Sequence, residues 1–234
     1  MASPAATIAA PAAAITVIAA HPTLEHSRVT RRLVDAAASV GRGSAGSPAV
    51  DVRDLYRLYP DYFIDVAAEQ AALAAAQLVV WLQPIRWYSM PPLLKLWLDE
   101  VFTFGWAYGP GGTALRGKDL WLVVSTGGPE DSYHPAGYNR YFFDAYLPPY
   151  EQTARLAGMR WLPPLVLHGA HRVDEAGLAA HAELFAERLR QWPEWPEIAD
   201  LEPAAACEVP ADARPAAKDE PSSPSASTAL RAAR

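Results

Sequence analysis

The sequence predicts an α/β fold, a five-stranded parallel sheet with helices on both faces. Three observations point there. Apolar runs recur at 15–20, 78–82 and 120–125, and the last two are continuous rather than alternating, as strands covered on both faces are. Apolar residues at helical spacing fill segments between such runs. The two kinds of segment alternate along the chain, which is the pattern of a parallel sheet joined by crossover helices.

The first strand is Ile15-Thr16-Val17-Ile18-Ala19-Ala20, β-branched and ended by His21-Pro22. Ser27 opens a helix over about 28–40, with Val29, Leu33, Val34 and Ala37 on one face. A Gly/Ser loop over 41–48 precedes the alternating second strand, 50–55, and Pro60 breaks the irregular stretch 56–65. An alanine-rich helix over 66–76 leads into the third strand, 78–82, and a helix opened by proline covers 92–104. After a glycine-rich loop, 105–117, the fourth strand spans 120–125, and a second long loop follows over 129–139. Residues 140–158 read as largely helical, interrupted near Pro148-Pro149. The fifth strand, 161–167, contains Pro163-Pro164, which marks an edge position or a kink. Asp174 caps a last helix ending near Trp192.

Five such strands with right-handed crossovers suit the flavodoxin-like order 2-1-3-4-5. The expected organisation is an extension over 1–14, one domain over 15–194, and a disordered Ala/Pro/Ser-rich tail over 195–234, too poor in large apolar residues to add to a core.

Composition narrows the function. A net charge of −6 argues against a nucleic-acid surface, which needs clustered Lys and Arg. The one cysteine, Cys207, excludes a disulfide framework within the chain and a zinc site built from several cysteines. No stretch approaches the ~20 apolar residues of a membrane span, and the first fourteen residues lack the basic start of a signal peptide. A cytoplasmic protein is expected, with any membrane association made through a partner.

In this topology three loops meet at one crevice at the carboxyl ends of the strands. The first, His21 to Thr30, offers helix N-terminal amides with Ser27, Thr30, His21 and Arg28, a set suited to phosphate, although Ser27 also serves as an ordinary N-cap. Glycine-rich dinucleotide and P-loop fingerprints are absent. The second, Ile85-Arg86-Trp87-Tyr88, places two aromatics where they line a planar ligand or simply pack. The third, Ser125-Thr126-Gly127-Gly128, has little bulk and lets backbone amides approach a ring closely. His168 and His171 follow the fifth strand without a nearby carboxylate and read as surface or interface histidines.

Taken together, His21-Pro22 with Ser27 and Thr30, Trp87-Tyr88-Ser89-Met90-Pro91-Pro92-Leu93-Leu94-Lys95, Gly105-Trp106-Ala107-Tyr108-Gly109 and Thr126-Gly127-Gly128 resemble the flavodoxin-like NAD(P)H:quinone oxidoreductases. Asp54-Leu55-Tyr56-Arg57-Leu58-Tyr59-Pro60-Asp61, Ala67-Ala68-Glu69-Gln70, Gly111-Gly112-Thr113-Ala114-Leu115 and Trp161-Leu162-Pro163-Pro164 are similar to the branch of ancillary flavoproteins of glutathione-regulated potassium efflux. The likeness covers about 15–192.

The resemblance implies a noncovalent flavin, FMN rather than FAD. Its phosphate would lie on His21, Ser27, Arg28, Val29 and Thr30, and its ring against Ile85, Arg86, Trp87, Tyr88, Ser125, Thr126, Gly127 and Gly128. Thr30 stands where the family often has Asn. NADH or NADPH would give a hydride, and a quinone would collect the electrons in a second, ping-pong half-reaction. Backbone amides at Gly128 would stabilise charge on the ring. Tyr133 takes the place of a relay tyrosine, whereas its histidine partner falls near Asn139, with His134 a nearby substitute. Tyr108 resembles a pocket wall lent by the partner in a homodimer. The branch further implies docking on a potassium–proton antiporter at the inner face of the cell membrane. A flavodoxin-type electron carrier and a non-catalytic regulator are the alternatives.

Overall fold

The structure is a computed structural model, and it describes residues 14–43 and 47–201. Of the expected extension over 1–14, residues 1–13 lie outside the described residues, as does the tail beyond 201.

Parallel strands β1 (Ile15–Ala19), β2 (Val50–Asp54), β3 (Leu78–Pro84) and β4 (Asp119–Ser125) run in the order β2-β1-β3-β4. At the far edge, β4 pairs with two short strands, β5 (Arg160–Trp161) and β6 (Leu165–Leu167). This is the flavodoxin-like order 2-1-3-4-5 with a sixth strand. The single strand expected over 161–167 is thus two. Proline has no N–H to give a ladder, so the chain leaves the sheet at Pro163-Pro164, where the Trp121 indole donates to the Pro163 carbonyl at 3.1 Å.

β3 and β4 are buried on both sides. Side chains alternate across a strand, so Val79 and Trp81 face one layer while Leu78, Val80 and Leu82 face the other. The first layer holds α3 (Val66–Ala75), α4 (Pro92–Val101) and α5 (Pro148–Leu156), with Leu73, Leu94, Trp97 and Tyr150 inside it. The second holds α1 (Val29–Gly41) and α6 (Glu175–Gln191), with Leu33, Ala37, Phe185 and Leu189. Each fully buried side chain of this size contributes about 1.5–3 kcal/mol.

Caps set the helix starts. Asp65 accepts from the Ala68 amide at 3.0 Å and Asp174 from the Gly177 amide at 2.8 Å. Pro92 opens α4, where its missing N–H costs nothing. Pro148 likewise begins α5 instead of interrupting a longer helix, and only a 3-10 turn, Phe143–Tyr146, precedes it. A further one-turn helix, α2 (Leu55–Leu58), occupies part of the stretch expected to be irregular, capped by Asp54.

The core extends past the expected boundary at 194. Trp195 packs edge-on against Trp121 at 4.8 Å between ring centres, and Ile198 is buried in a 3-10 turn over Pro196–Asp200. Asp119 anchors this end, accepting two bonds from Arg160 and one from the Trp192 indole.

Candidate functional site

A cavity of about 440 Å³ opens at the carboxyl ends of β1, β3, β4 and β6. Three of its walls are the loops picked out in the sequence: His21 with Ser27 to Val29, Ile85-Arg86, and Ser125 to Gly127. The fourth is Ala170-His171, after β6.

The β1 loop makes a 3-10 turn, Leu24–His26, before α1 begins. Ser27 Oγ accepts from the Thr30 amide at 3.0 Å, so it caps the helix and still has its own proton to donate. Thr30 is buried and reaches the site only through that backbone bond. His21 Nδ1 accepts from the Thr23 amide at 3.2 Å, which puts the imidazole hydrogen on Nε2. Burial, helped by the positive charge of Arg86, holds His21 below the usual histidine pKa. The Arg28 guanidinium turns away to Glu175 (2.8 Å) and the Val173 carbonyl (3.1 Å), so its charge is already paired.

The β3 loop is a two-residue hairpin. Arg86 and Ser89 exchange both backbone bonds, at 2.9 and 3.0 Å, and Trp87 and Tyr88 sit at φ 49° and 62°. That is the left-handed geometry of the type I′ turn, rare for aromatic residues. It separates the two rings from the cavity lining. Trp87 is 93% exposed, whereas Tyr88 stacks on Tyr146 at 5.2 Å and donates to Asn139 Oδ1 at 3.4 Å.

The β4 loop is laced to the β6 loop. The Thr126 amide donates to Leu167 O, the Ala170 amide to Thr126 O and the Gly169 amide to Gly128 O, all at 2.8–2.9 Å. At Gly127 a Cβ would meet only the His171 ring, at an ordinary contact distance of 3.8 Å. Gly128 faces the protein instead. A Cβ there would lie 2.8 Å from Ser132 Oγ and 3.4 Å from the Tyr133 ring.

Tyr133 is buried beside the cavity, against Phe143, Tyr146 and His168, and burial raises its pKa. Asn139, where the family pattern has histidine, is a structural tie: its side-chain amide donates to Ser132 Oγ at 2.8 Å. His134 is exposed, accepts from the Ala136 amide and lies against Phe142. Tyr108 stands apart in a different groove, with Lys95, Leu98 and Phe102.

The two histidines after β6, read in the sequence as surface or interface histidines, belong to the site. His171 lines the cavity and His168 contacts Thr126. The signal was available, since the loop after an edge strand opens onto the same end of the sheet as the others.

Among the described residues the cavity has no carboxylate in its lining. In a chain of net charge −6, His21, His26, Arg28, Arg86 and His171 line it, and no Asp or Glu does so among the described residues. The volume lies in the range of small-molecule sites. The arrangement suits an elongated anionic ligand, its anionic end at the α1 amides and its flat end against small, uncrowded backbone.

Fold and crevice together define a flavodoxin-like protein. The family described as having a flavodoxin-like fold matches residues 13–190. The ancillary protein KefF of the glutathione-regulated potassium-efflux system of Citrobacter koseri is 46% identical over 180 residues, which span 77% of this chain and 97% of that protein. Among solved structures, general stress protein 14 of Treponema denticola in complex with FMN superposes with a TM-score of 0.66 at 36% identity, over 76% of this chain and 96% of that one. A putative quinone reductase from Klebsiella pneumoniae does so with a TM-score of 0.66 at 27% identity, over 76% and 85%. The chain belongs to the flavodoxin-like family, in the branch of the KefF ancillary proteins.

Proposed function

We propose that the protein is an FMN-dependent NAD(P)H:quinone oxidoreductase that transfers two electrons at a time. The observation that supports this reading is the crevice itself, free of carboxylates among the described residues, holding Arg86, and bounded by small backbone on one side. The residues present fit FMN. The Val29 amide, Ser27 Oγ and His21 Nε2 are donors for the phosphate, and Arg86 adds an uncommitted positive charge, since among the described residues its guanidinium has no carboxylate partner. Gly127, with no side chain and only the His171 ring near its Cβ position, leaves that wall low for the ring.

Bound FMN supplies hydride acceptance and donation, the chemistry that the protein itself lacks. The chain's own tasks are to hold, orient and shield. The Gly127 and Gly128 amides would be the donors to the ring's polar edge, since the Thr126 amide is already given to Leu167 O. The Arg86–Ser89 hairpin fixes Ile85 as an apolar wall, tied to the β4 loop by the Ile85 amide to Ser125 O at 2.8 Å. Tyr133 keeps its phenolic proton well above neutral pH and is a hydrogen-bond donor next to the site. NADH or NADPH and then a quinone would occupy the same opening in turn.

Two further readings go with this one. Tyr108 stands away from its own crevice, in a groove between α4 and α5, which suits a homodimer where each protomer walls the other's pocket. The KefF relatives are named as ancillary to a potassium-efflux system, so docking on a membrane antiporter is the corresponding regulatory role. Among the described residues no helix is long and apolar enough to cross a membrane, so such docking would run through protein contacts. FMN titration followed by flavin fluorescence tests the core reading. Saturable quenching supports it, and a protein that takes up no FMN overturns it.

A further inference from the structure

Behind the crevice, one half-buried histidine has contacts that the reading above does not use. His168 directly follows β6, and its Nδ1 lies 3.1 Å from Thr126 Oγ1. The Thr126 hydroxyl, which also meets the Tyr133 hydroxyl, has one hydrogen, assigned to the Gly128 carbonyl, a pure acceptor 2.7 Å away. The proton between histidine and threonine therefore belongs to Nδ1. His21 is the opposite case, because its Nδ1 accepts from a backbone amide. The His168 ring is also wedged against Tyr133 at 5.4 Å and Phe143 at 5.0 Å between ring centres. A charge that acts on it is Glu130, from the loop after β4, which favours the protonated ring against the larger effect of burial.

We propose that His168, as a neutral imidazole carrying its hydrogen on Nδ1, is the positioning residue of this site: it donates to Thr126, locks the Thr126–Gly128 turn, and sets the ring of Tyr133. It acts through Thr126 and Tyr133 and does not line the cavity itself. It also differs from the histidine expected near Asn139, whose position is taken by a structural tie. The inference rests on the flavin reading for its functional meaning, but the tautomer is a property of the protein alone. A neutral donor at this position needs no titration near neutral pH, and burial lowers the His168 pKa.

The test has two arms. In flavin-free wild-type protein, long-range nitrogen–proton NMR correlations of the imidazoles should show His168 with its hydrogen on Nδ1 and His21 with its hydrogen on Nε2. A His168 hydrogen on Nε2, or an imidazolium at neutral pH, overturns the proposal. In the second arm, His168→Leu should weaken FMN binding about five- to tenfold, the scale of one lost buried hydrogen bond. His168→Asn, which keeps a donor near Nδ1, should recover most of it. Unchanged binding in His168→Leu, or an Asn variant as weak as the Leu variant, contradicts the role. Wild-type protein that takes up no FMN would sink the flavin reading instead, and the tautomer would still decide the hydrogen-bond assignment.

Discussion

Glu69 and Arg53 form a bidentate ion pair in which the carboxylate is fully buried. Arg53 Nε lies 2.9 and 3.0 Å from the two carboxylate oxygens, and Nη2 lies 2.6 Å from Oε1. The Tyr59 hydroxyl and the Trp97 indole, at 2.5 and 2.9 Å, supply two more donors. One side chain on α3 thereby joins β2, the segment after α2, and α4, the helix behind the β3 hairpin. Removing one partner of a buried pair leaves the other charge uncompensated, at a cost of about 3–5 kcal/mol. Glu69→Gln should lose about 3 kcal/mol, near the lower end because the Arg53 side chain is partly exposed, at 18%, and keeps a second carboxylate, Asp51, at 3.3 Å. Urea unfolding checks this, and a midpoint equal to wild type would refute it.

The neighbouring glycines should fail differently. A Cβ at Gly127 would meet only the cavity-lining His171 ring, without a clash, so Gly127→Val should weaken FMN binding tenfold or more, as a rough estimate, while leaving the unfolding midpoint nearly unchanged. Gly128 faces Ser132, Asn139 and Tyr133, so Gly128→Val should cost about 1–3 kcal/mol of stability through overpacking. Paired FMN titrations and urea melts distinguish the two. Equal loss of stability in both variants would mean that the turn is oriented otherwise.

Trp87 holds a left-handed backbone conformation with its ring almost wholly in water. Such a conformation costs an L-residue roughly 1–2 kcal/mol, and Asn tolerates it better. Trp87→Asn should therefore stabilise the protein, by about 0.5–1 kcal/mol. A lower melting temperature in the variant would show that the indole makes a contact in solution. Strain retained at an exposed aromatic is a mark of function rather than packing.

Acid should weaken the fold through His181. It is buried in α6, its Nε2 has no hydrogen-bond partner among the described residues, and burial lowers its pKa. The folded state then binds fewer protons than the unfolded chain, whose histidines titrate near about 6.5. The stabilisation is complete above that pH and is lost as pH falls below it. His21 and His168 add in the same direction. His181→Leu should lose less stability than wild type between about pH 7.5 and about pH 5.5. Equal losses would mean that other groups dominate.

Most of the fold was legible because it rests on local pattern. Continuous apolar runs marked β3 and β4, and Asp174 and Pro92 marked helix starts within a residue. What stayed hidden depends on pairing. Nothing local says that Leu165–Leu167 rejoins β4 after leaving it at Pro163-Pro164, and that register brings His168 to Thr126, 42 positions away. Trp195 and Ile198 were read as tail because their neighbours are tail-like, yet two apolar residues suffice to bind the segment to Trp121 and α6. At the site, all three expected loops reach the crevice. The hairpin geometry that turns Trp87 outward and ties Tyr88 to Tyr146 is invisible in residue types, because neither aromatic favours positive φ.

The central claim is hydride transfer in this crevice, and anaerobic titration of the FMN-loaded protein tests it most directly. One equivalent of NADH or NADPH should bleach the flavin absorption band, and menadione should then restore it without a radical signal. A flavin that binds but stays oxidised in the presence of both nicotinamides would contradict the oxidoreductase account and leave a flavin-binding regulator or carrier.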